Sequence, residues 1–158
     1  MGLAQSIAAV FFQYSRRFCL WPKSAARSQS ASQKIRLGVL GENLAARHLR
    51  SLGYKVLHRN FRGKRGGEVD LVCREKAGGT LVFVEVKTRR SLRYGAPSSA
   101  VNPAKQRLIA RGALAWLKLL GNPGIPFRFD IVEVWFEGGE ARFRVLENAF
   151  QLPEPLIY

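Results

Sequence analysis

The stretch Leu81-Val82-Phe83-Val84-Glu85-Val86-Lys87 decides how this chain reads. All but two of its residues are apolar, which is the pattern of a strand bound for an interior. Glu85 and Lys87 stand two residues apart at its end. Side chains alternate faces along a strand, so Leu81, Phe83, Glu85 and Lys87 share one face and Val82, Val84 and Val86 take the other. The preceding run EVDLVCRE, Glu68 to Glu75, has the same alternation: Glu68, Asp70 and Val72 on one face, Val69, Leu71 and Cys73 on the other. KAGGT between the two runs is a hairpin turn. With the charged faces on the same side, the hairpin brings Asp70 and Glu85 together, with Lys87 beside them.

Outward from this hairpin the chain alternates between elements of both periods. Upstream, Leu37, Leu40, Leu44, Leu49 and Leu52 recur at near-helical spacing from about Lys34, and Gly53 supplies a stop. YKVLHRNF, Tyr54 to Phe61, reads as a strand, and RGKRGG, Arg62 to Gly67, as a basic glycine-rich turn. Downstream, Ser91 to Asn102 reads as a loop. Pro103 opens a helix capped by Asn102, with Leu108, Ile109, Ala113, Trp116, Leu117 and Leu120 on its apolar side. FRFDIVEVWF, Phe127 to Phe136, is a further strand, and EGGE turns it into ARFRVLE. The order helix, three strands, helix, two strands predicts an α/β domain with a mixed central β-sheet flanked by α-helices.

Two carboxylates with no Cys or His beside them form a hard-oxygen site, suited to Mg²⁺ or Mn²⁺. Such an ion lowers the pKa of a coordinated water and stabilises charge on a phosphoryl oxygen. Lys87 is placed to orient or deprotonate that water, or to offset charge at phosphorus. Basic side chains flank the site on both sides: Arg59, Arg62, Lys64 and Arg65 before Asp70, and Arg89, Arg90 and Arg93 after Lys87. They would counter repulsion between phosphates and the carboxylates. Tyr94 is expected to pack in its loop or to stack on a base. No helix-turn-helix, zinc-finger or RNA-binding sheet signature is present, which points away from base readout.

The bulk properties agree. Lys and Arg number 26 against 11 Asp and Glu, a net charge of +15 in 158 residues. A folded domain this basic is expected to meet a polyanion, nucleic acid first. Cys19 and Cys73 form no metal-binding or disulfide framework, which fits a reducing, cytoplasmic setting. No apolar run approaches the ~20 residues of a membrane span. The segment before Lys34 carries no Asp or Glu and ends in a Ser/Ala/Gln tract. It reads as a flexible tail, with a targeting segment, a surface helix or a misplaced start as alternatives.

Taken together, Asp70 and Glu85-Val86-Lys87 resemble the PD-(D/E)xK nuclease superfamily, which has the restriction-endonuclease-like fold. The more specific resemblance is to the YraN-like family, UPF0102. It rests on GENLAARHLRSLGY, RNFR, GGEVDLV, LVFVEVKTR, YGAPSSAVNPAKQRLIARGALAWL and RFDIVEV, and covers about Gly38 to Val134. The proline of the superfamily signature is replaced by Val69. In the similar Holliday junction resolvases an acid on the first helix joins the set, and the resemblance places Glu42 there; the alternative for Glu42 is a favourable charge near a helix N-terminus. Glu68 is then a second ligand or a neighbour that raises a pKa. The resemblance also puts a Gln or Lys of the second helix beside the site, although Lys105 and Gln106 read more simply as an exposed first turn. Asp130 reads as structural or as the partner of a basic residue.

The resulting expectation has three parts: a basic extension over 1–33, a nuclease-like domain over 34–150 and a tail over 151–158. The function expected is metal-dependent hydrolysis of phosphodiester bonds, with DNA favoured over RNA and branched or repair intermediates as candidate substrates. Catalysis would fall to Asp70, Glu85, Lys87 and Glu42, and metal binding to Asp70, Glu85 and Glu68. A homodimer is suggested because junction-cutting enzymes act as dimers, and membrane association is disfavoured. The second class is a nucleic-acid-binding accessory protein of the same fold with little or no catalysis.

Overall fold

The structure is a computed structural model and describes residues 29–90 and 101–153. The expectations for the leader up to residue 28, for Arg93 and Tyr94, and for the last five positions fall outside these residues. The elements are α1 (Gln29–Ser51), β1 (Tyr54–Arg62), β2 (Glu68–Glu75), β3 (Leu81–Thr88), α2 (Pro103–Leu119), β4 (Phe127–Glu137) and β5 (Glu140–Phe150). They form one five-stranded sheet in the order β1-β2-β3-β4-β5. β3 and β4 are parallel and joined across α2, and every other neighbouring pair is antiparallel. The fold is thus α/β with a mixed sheet.

Strand alternation assigns the two helices to opposite faces. Leu81, Phe83, Phe129 and Ile131 pack with Ile109, Ala113 and Trp116 of α2. Val82, Val84, Val132 and Val134 pack with Ala45, Ala46 and Leu49 of α1. α2 starts as its sequence predicts: Asn102 Oδ1 accepts from the Lys105 N–H at 2.8 Å, and Pro103 occupies the first turn.

α1 departs from its expectation twice. It begins at Gln29 rather than near Lys34. Its packed face also keeps only part of the leucine stripe, since Leu40 and Leu52 are about half exposed while Leu49 is fully buried with Ala45 and Ala46. Small side chains win here because the helix runs close to the sheet. A Cβ built on Gly41 would collide with the Thr88 side chain at the end of β3. Among the described residues no helix is long and apolar enough to cross a membrane.

Asp130 is fully buried on the α1 face, in register with Val84. It accepts from Arg128 Nε at 3.0 and 3.2 Å and from the Asn148 N–H at 2.9 Å. Arg128 Nη2 donates to Tyr54 Oη at 2.8 Å, and Nη1 lies 3.4 Å from Glu75. The network ties β1, β2, β4 and β5 together, away from Glu85, which points to the other face. Burial pushes the Asp130 carboxyl up, against the Arg128 hydrogen bond. Asp130→Ala would take from the Arg128 guanidinium its nearest carboxylate, leaving it Tyr54, Glu75 and Glu147, and is expected to cost about 2–3 kcal/mol in denaturant unfolding, with site chemistry unchanged in whatever fraction stays folded.

Candidate active site at the opening between β2 and β3

The site is made by a break in pairing. β2 and β3 are in register only from Leu71 opposite Val84 to Arg74 opposite Leu81. One step further, where Asp70 and Glu85 would face each other, the ladder stops. The Val86 N–H donates instead to Asp70 Oδ2 at 2.8 Å. β3 meanwhile stays bonded to β4 as far as Thr88. Alternation in β2 breaks at the same place: Val69 and Val72 both join the cluster under α2, although strict alternation sets them on opposite faces. Asp70 therefore sits in the mouth of the opening, reached from both faces of the sheet.

Glu85 is buried, only 4% exposed. Its Oε1 lies 3.0 Å from Lys87 Nζ and its Oε2 3.3 Å from Lys105 Nζ. The second contact is a charge pair without hydrogen-bond alignment, since Oε2 has no hydrogen-bond partner. Lys105 Nζ donates to Glu68 Oε1 at 2.6 Å. On the other face, Asn60 Nδ2 donates to Glu42 Oε2 at 2.9 Å. Asn60 adopts φ 52°, a left-handed conformation that asparagine tolerates.

The electrostatics follow from this crowding. Burial and the neighbouring Glu85 charge push the Asp70 carboxyl up to about 7; Glu42 adds to the rise, and the Val86 N–H and Lys105 oppose it. Lys105 ends above its ordinary value: burial works to lower it, and the Glu68 hydrogen bond and the charges of Glu85 and Asp70 outweigh that. Glu68 is lowered, chiefly by its hydrogen bond from Lys105.

The structure therefore brings Asp70, Glu85 and Lys87 together, with Glu42 close enough to act on Asp70. Glu42 lies in the middle of α1, which begins at Gln29, so the alternative of a charge near a helix N-terminus is set aside. Glu68 is turned toward Lys105 and toward Arg62, whose Nη2 is 3.9 Å away, and the neighbours that raise Asp70 are Glu85 and Glu42. Arg59, Lys64, Arg65 and Arg90 are exposed around the opening, as is Arg62, and the Arg89 N–H is bonded to the Val134 carbonyl. Gln106 turns away, its Nε2 donating to the Val101 carbonyl.

Two residues, Asn60 and Glu133, escaped the sequence reading. Lys105 is set beside the site by the resemblance, while its own signal reads more simply as an exposed first turn. A helix that follows a strand starts above that strand's C-terminal end, and helical side chains lean toward the N-terminus, so its position over Glu85 was in principle legible. Asn60 carried only the weak signal of a left-handed-tolerant residue near a strand end. Glu133 lies opposite Lys87 in the parallel register. It is buried with neither oxygen hydrogen-bonded, and Arg144 Nη1 is 3.9 Å away.

Two hard carboxylates share a partly buried opening: burial and the Glu85 charge drive Asp70 to hold its proton, while Lys87 and Lys105 pair with Glu85. That donor set fits Mg²⁺ or Mn²⁺, which need only one or two protein carboxylates and complete their shell with water and phosphate oxygens. Among the described residues no group of three or more His, Cys, Asp or Glu side chains is gathered closely enough to hold an ion alone.

Comparison with known proteins agrees with the resemblance. The model of the Uncharacterised protein family UPF0102 matches residues 41–134. A UPF0102 protein of Geobacter sulfurreducens is 51% identical over 117 residues, 73% of this chain and 89% of that protein. One from Symbiobacterium thermophilum is 50% identical over 116 residues, 73% of this chain and 96% of that protein. Among solved structures, SfsA of Pyrococcus furiosus in complex with Ca²⁺ aligns at 12% identity and a TM-score of 0.27, over 78% of this chain and 73% of SfsA. That likeness is too slight to carry an argument.

Proposed function

Because this chain belongs to the UPF0102 family, we propose that family members with this site are divalent-metal-dependent nucleases of the PD-(D/E)xK type, acting on DNA. The observation that carries the reading is the opening between β2 and β3, where Asp70 and Glu85 share one partly buried space beside Lys87. Asp70 and Glu85 would hold Mg²⁺ or Mn²⁺. When bound, the ion supplies Lewis-acid stabilisation for phosphodiester hydrolysis. Lys87, charged and partly exposed, is set to orient the attacking water or to meet charge developing on the phosphate. Glu85 holds the Lys87 ammonium in place and Lys105 holds Glu68 and Glu85, so the geometry is fixed before substrate arrives. Exposed Arg59, Arg62, Lys64, Arg65 and Arg90 supply affinity for the backbone.

A second reading, a nucleic-acid-binding accessory protein, is favoured by one observation. Lys87 and Lys105 already neutralise Glu85, so an ion must displace a lysine to reach it. One experiment separates the two. Branched, single-stranded and duplex DNA, and RNA, are incubated with the protein in Mg²⁺ or Mn²⁺. The nuclease reading predicts DNA cleavage that disappears in Asp70→Ala, Glu85→Ala and Lys87→Ala. Cleavage that survives all three substitutions sinks the assignment of the site. Salt-sensitive binding with no cleavage establishes the accessory reading instead.

A further inference from the structure

α2 carries basic side chains that the catalytic opening does not use. Its sequence PAKQRLIARGALAWLKL contains no acidic residue. Arg107, Arg111 and Lys118 are exposed and fall within about 40° of one another around a helix of 3.6 residues per turn. None of them is within ion-pair distance of a carboxylate among the described residues. The basic turn between β1 and β2 lies against the same helix. A Cβ on Gly67 would collide with the Gly112 N–H and come within 2.9 Å of Arg111 Cβ, and one on Gly63 would lie 3.0 Å from Ala115 Cβ. Lys64 and Arg65, exposed on that turn, therefore extend the helical stripe into one basic surface. At its other end Lys105 touches Glu68 and Glu85.

We infer that this surface, built by Arg107, Arg111 and Lys118 with the turn residues Arg62, Lys64 and Arg65, is a track for the phosphate backbone of duplex DNA leading into the opening between β2 and β3. The inference rests on the nuclease-like reading and extends it by assigning the second binding wall. The stripe from Arg107 to Lys118 is about 17 Å long at 1.5 Å per residue. That length spans about five base pairs along the duplex axis at ~3.4 Å rise per pair, room for three phosphate contacts. Duplex is favoured over single-stranded nucleic acid because the exposed face of α2 offers no aromatic ring for unstacked bases. Trp116, the aromatic residue of α2, is 2% exposed.

The test is fluorescence-anisotropy binding of a labelled duplex DNA to the full chain across a salt series, without divalent metal. The variants are Arg107→Ala/Arg111→Ala/Lys118→Ala, the turn set Arg62→Ala/Lys64→Ala/Arg65→Ala, and, on the α1 face, Arg47→Ala/Arg50→Ala. Thermal unfolding checks that each remains folded. The expected result is at least a tenfold loss of affinity for the α2 variant and a salt slope shallower by about 2.7, three contacts at 0.9 each, with the α1-face variant close to wild type. Unchanged binding by the α2 variant alongside weakened binding by the turn variant would overturn the track and leave the nuclease reading standing. Wild-type protein that binds no nucleic acid would overturn both. Vesicles of one part phosphatidylserine to three parts phosphatidylcholine provide the remaining arm: loss of vesicle binding with unchanged DNA binding would assign the stripe to membranes and refute the track.

Discussion

Asp70→Asn is expected to reduce metal-dependent cleavage by on the order of 10³-fold while making the metal-free protein more stable at neutral pH. Both effects come from the same placement. The carboxyl is held in the opening beside Glu85, and burial with that neighbouring charge raises its pKa to about 7 from 3.8. A carboxyl whose folded pKa lies above its unfolded value binds its proton more tightly in the native state. Stability therefore falls as pH rises from about 4 to 7 and stays low above that. The shift limits this loss to at most about 4 kcal/mol. Asparagine keeps an oxygen to accept from the Val86 N–H and carries no charge. The stability difference between variant and wild type should then be near zero at pH 4, grow toward pH 7 and level off. Urea unfolding across this range, in chelator, reads it directly. A variant less stable than wild type at every pH would mean that Asp70 is held by interactions this account omits.

The second large effect is structural and acts at a distance. Gly67 has φ +89°, and a Cβ there would lie 2.8 Å from the Arg111 carbonyl carbon as well as against the Gly112 N–H. Gly112 is also confined, with Val69 Cγ2 at 2.9 Å and the Glu68 nitrogen at 3.0 Å from a built Cβ. The two glycines let α2 touch the start of β2, and this contact sets Lys105 over Glu68. Gly67→Ala should cost about 3 kcal/mol or more, combining left-handed strain with overpacking against backbone. Gly66→Ala is the matched control: its φ is +82° with nothing within 4 Å of a built Cβ, so only the conformational part, about 1 kcal/mol, applies. Equal costs in denaturant unfolding would show that backbone contact with α2 is not what Gly67 provides.

Most of the fold could be read because its signals are local. The alternation in LVFVEVK, the Asn102–Pro103 helix start and the Gly53 stop each depend on residues adjacent in the chain. They survive in β3, in α2 and at the end of α1, where Gly53 has φ +92°. The face of α1 could not be read in the same way. Leucine spacing found Leu49 but not Gly41, Ala45 and Ala46, which closeness to the sheet selects, and closeness is a tertiary property. The core of the site was legible for the same reason as the fold: Asp70, Glu85 and Lys87 are displaced charges in apolar strands. Their surroundings were less so. Lys105 joins from a helix beyond a loop, Asn60 joins through a left-handed turn of backbone, and Glu133 stands beside Lys87 only because β3 and β4 run parallel. The end of pairing at Leu71, which turns Asp70 into the opening, has no local signature in Glu68-Val69-Asp70-Leu71.

Asp70 and Glu85 are proposed together to hold a divalent cation, which takes the place of the Asp70 proton and of a lysine contact to Glu85. The most direct measurement is calorimetric titration of Mn²⁺ into the full chain near pH 7, in buffers of different ionisation heat, for wild type, Asp70→Asn and Glu85→Gln. Wild type is expected to bind with release of a proton, as the cation displaces the one held by Asp70, and both variants are expected to lose that binding. Binding of equal strength in Asp70→Asn, or no binding by the wild type, would contradict it.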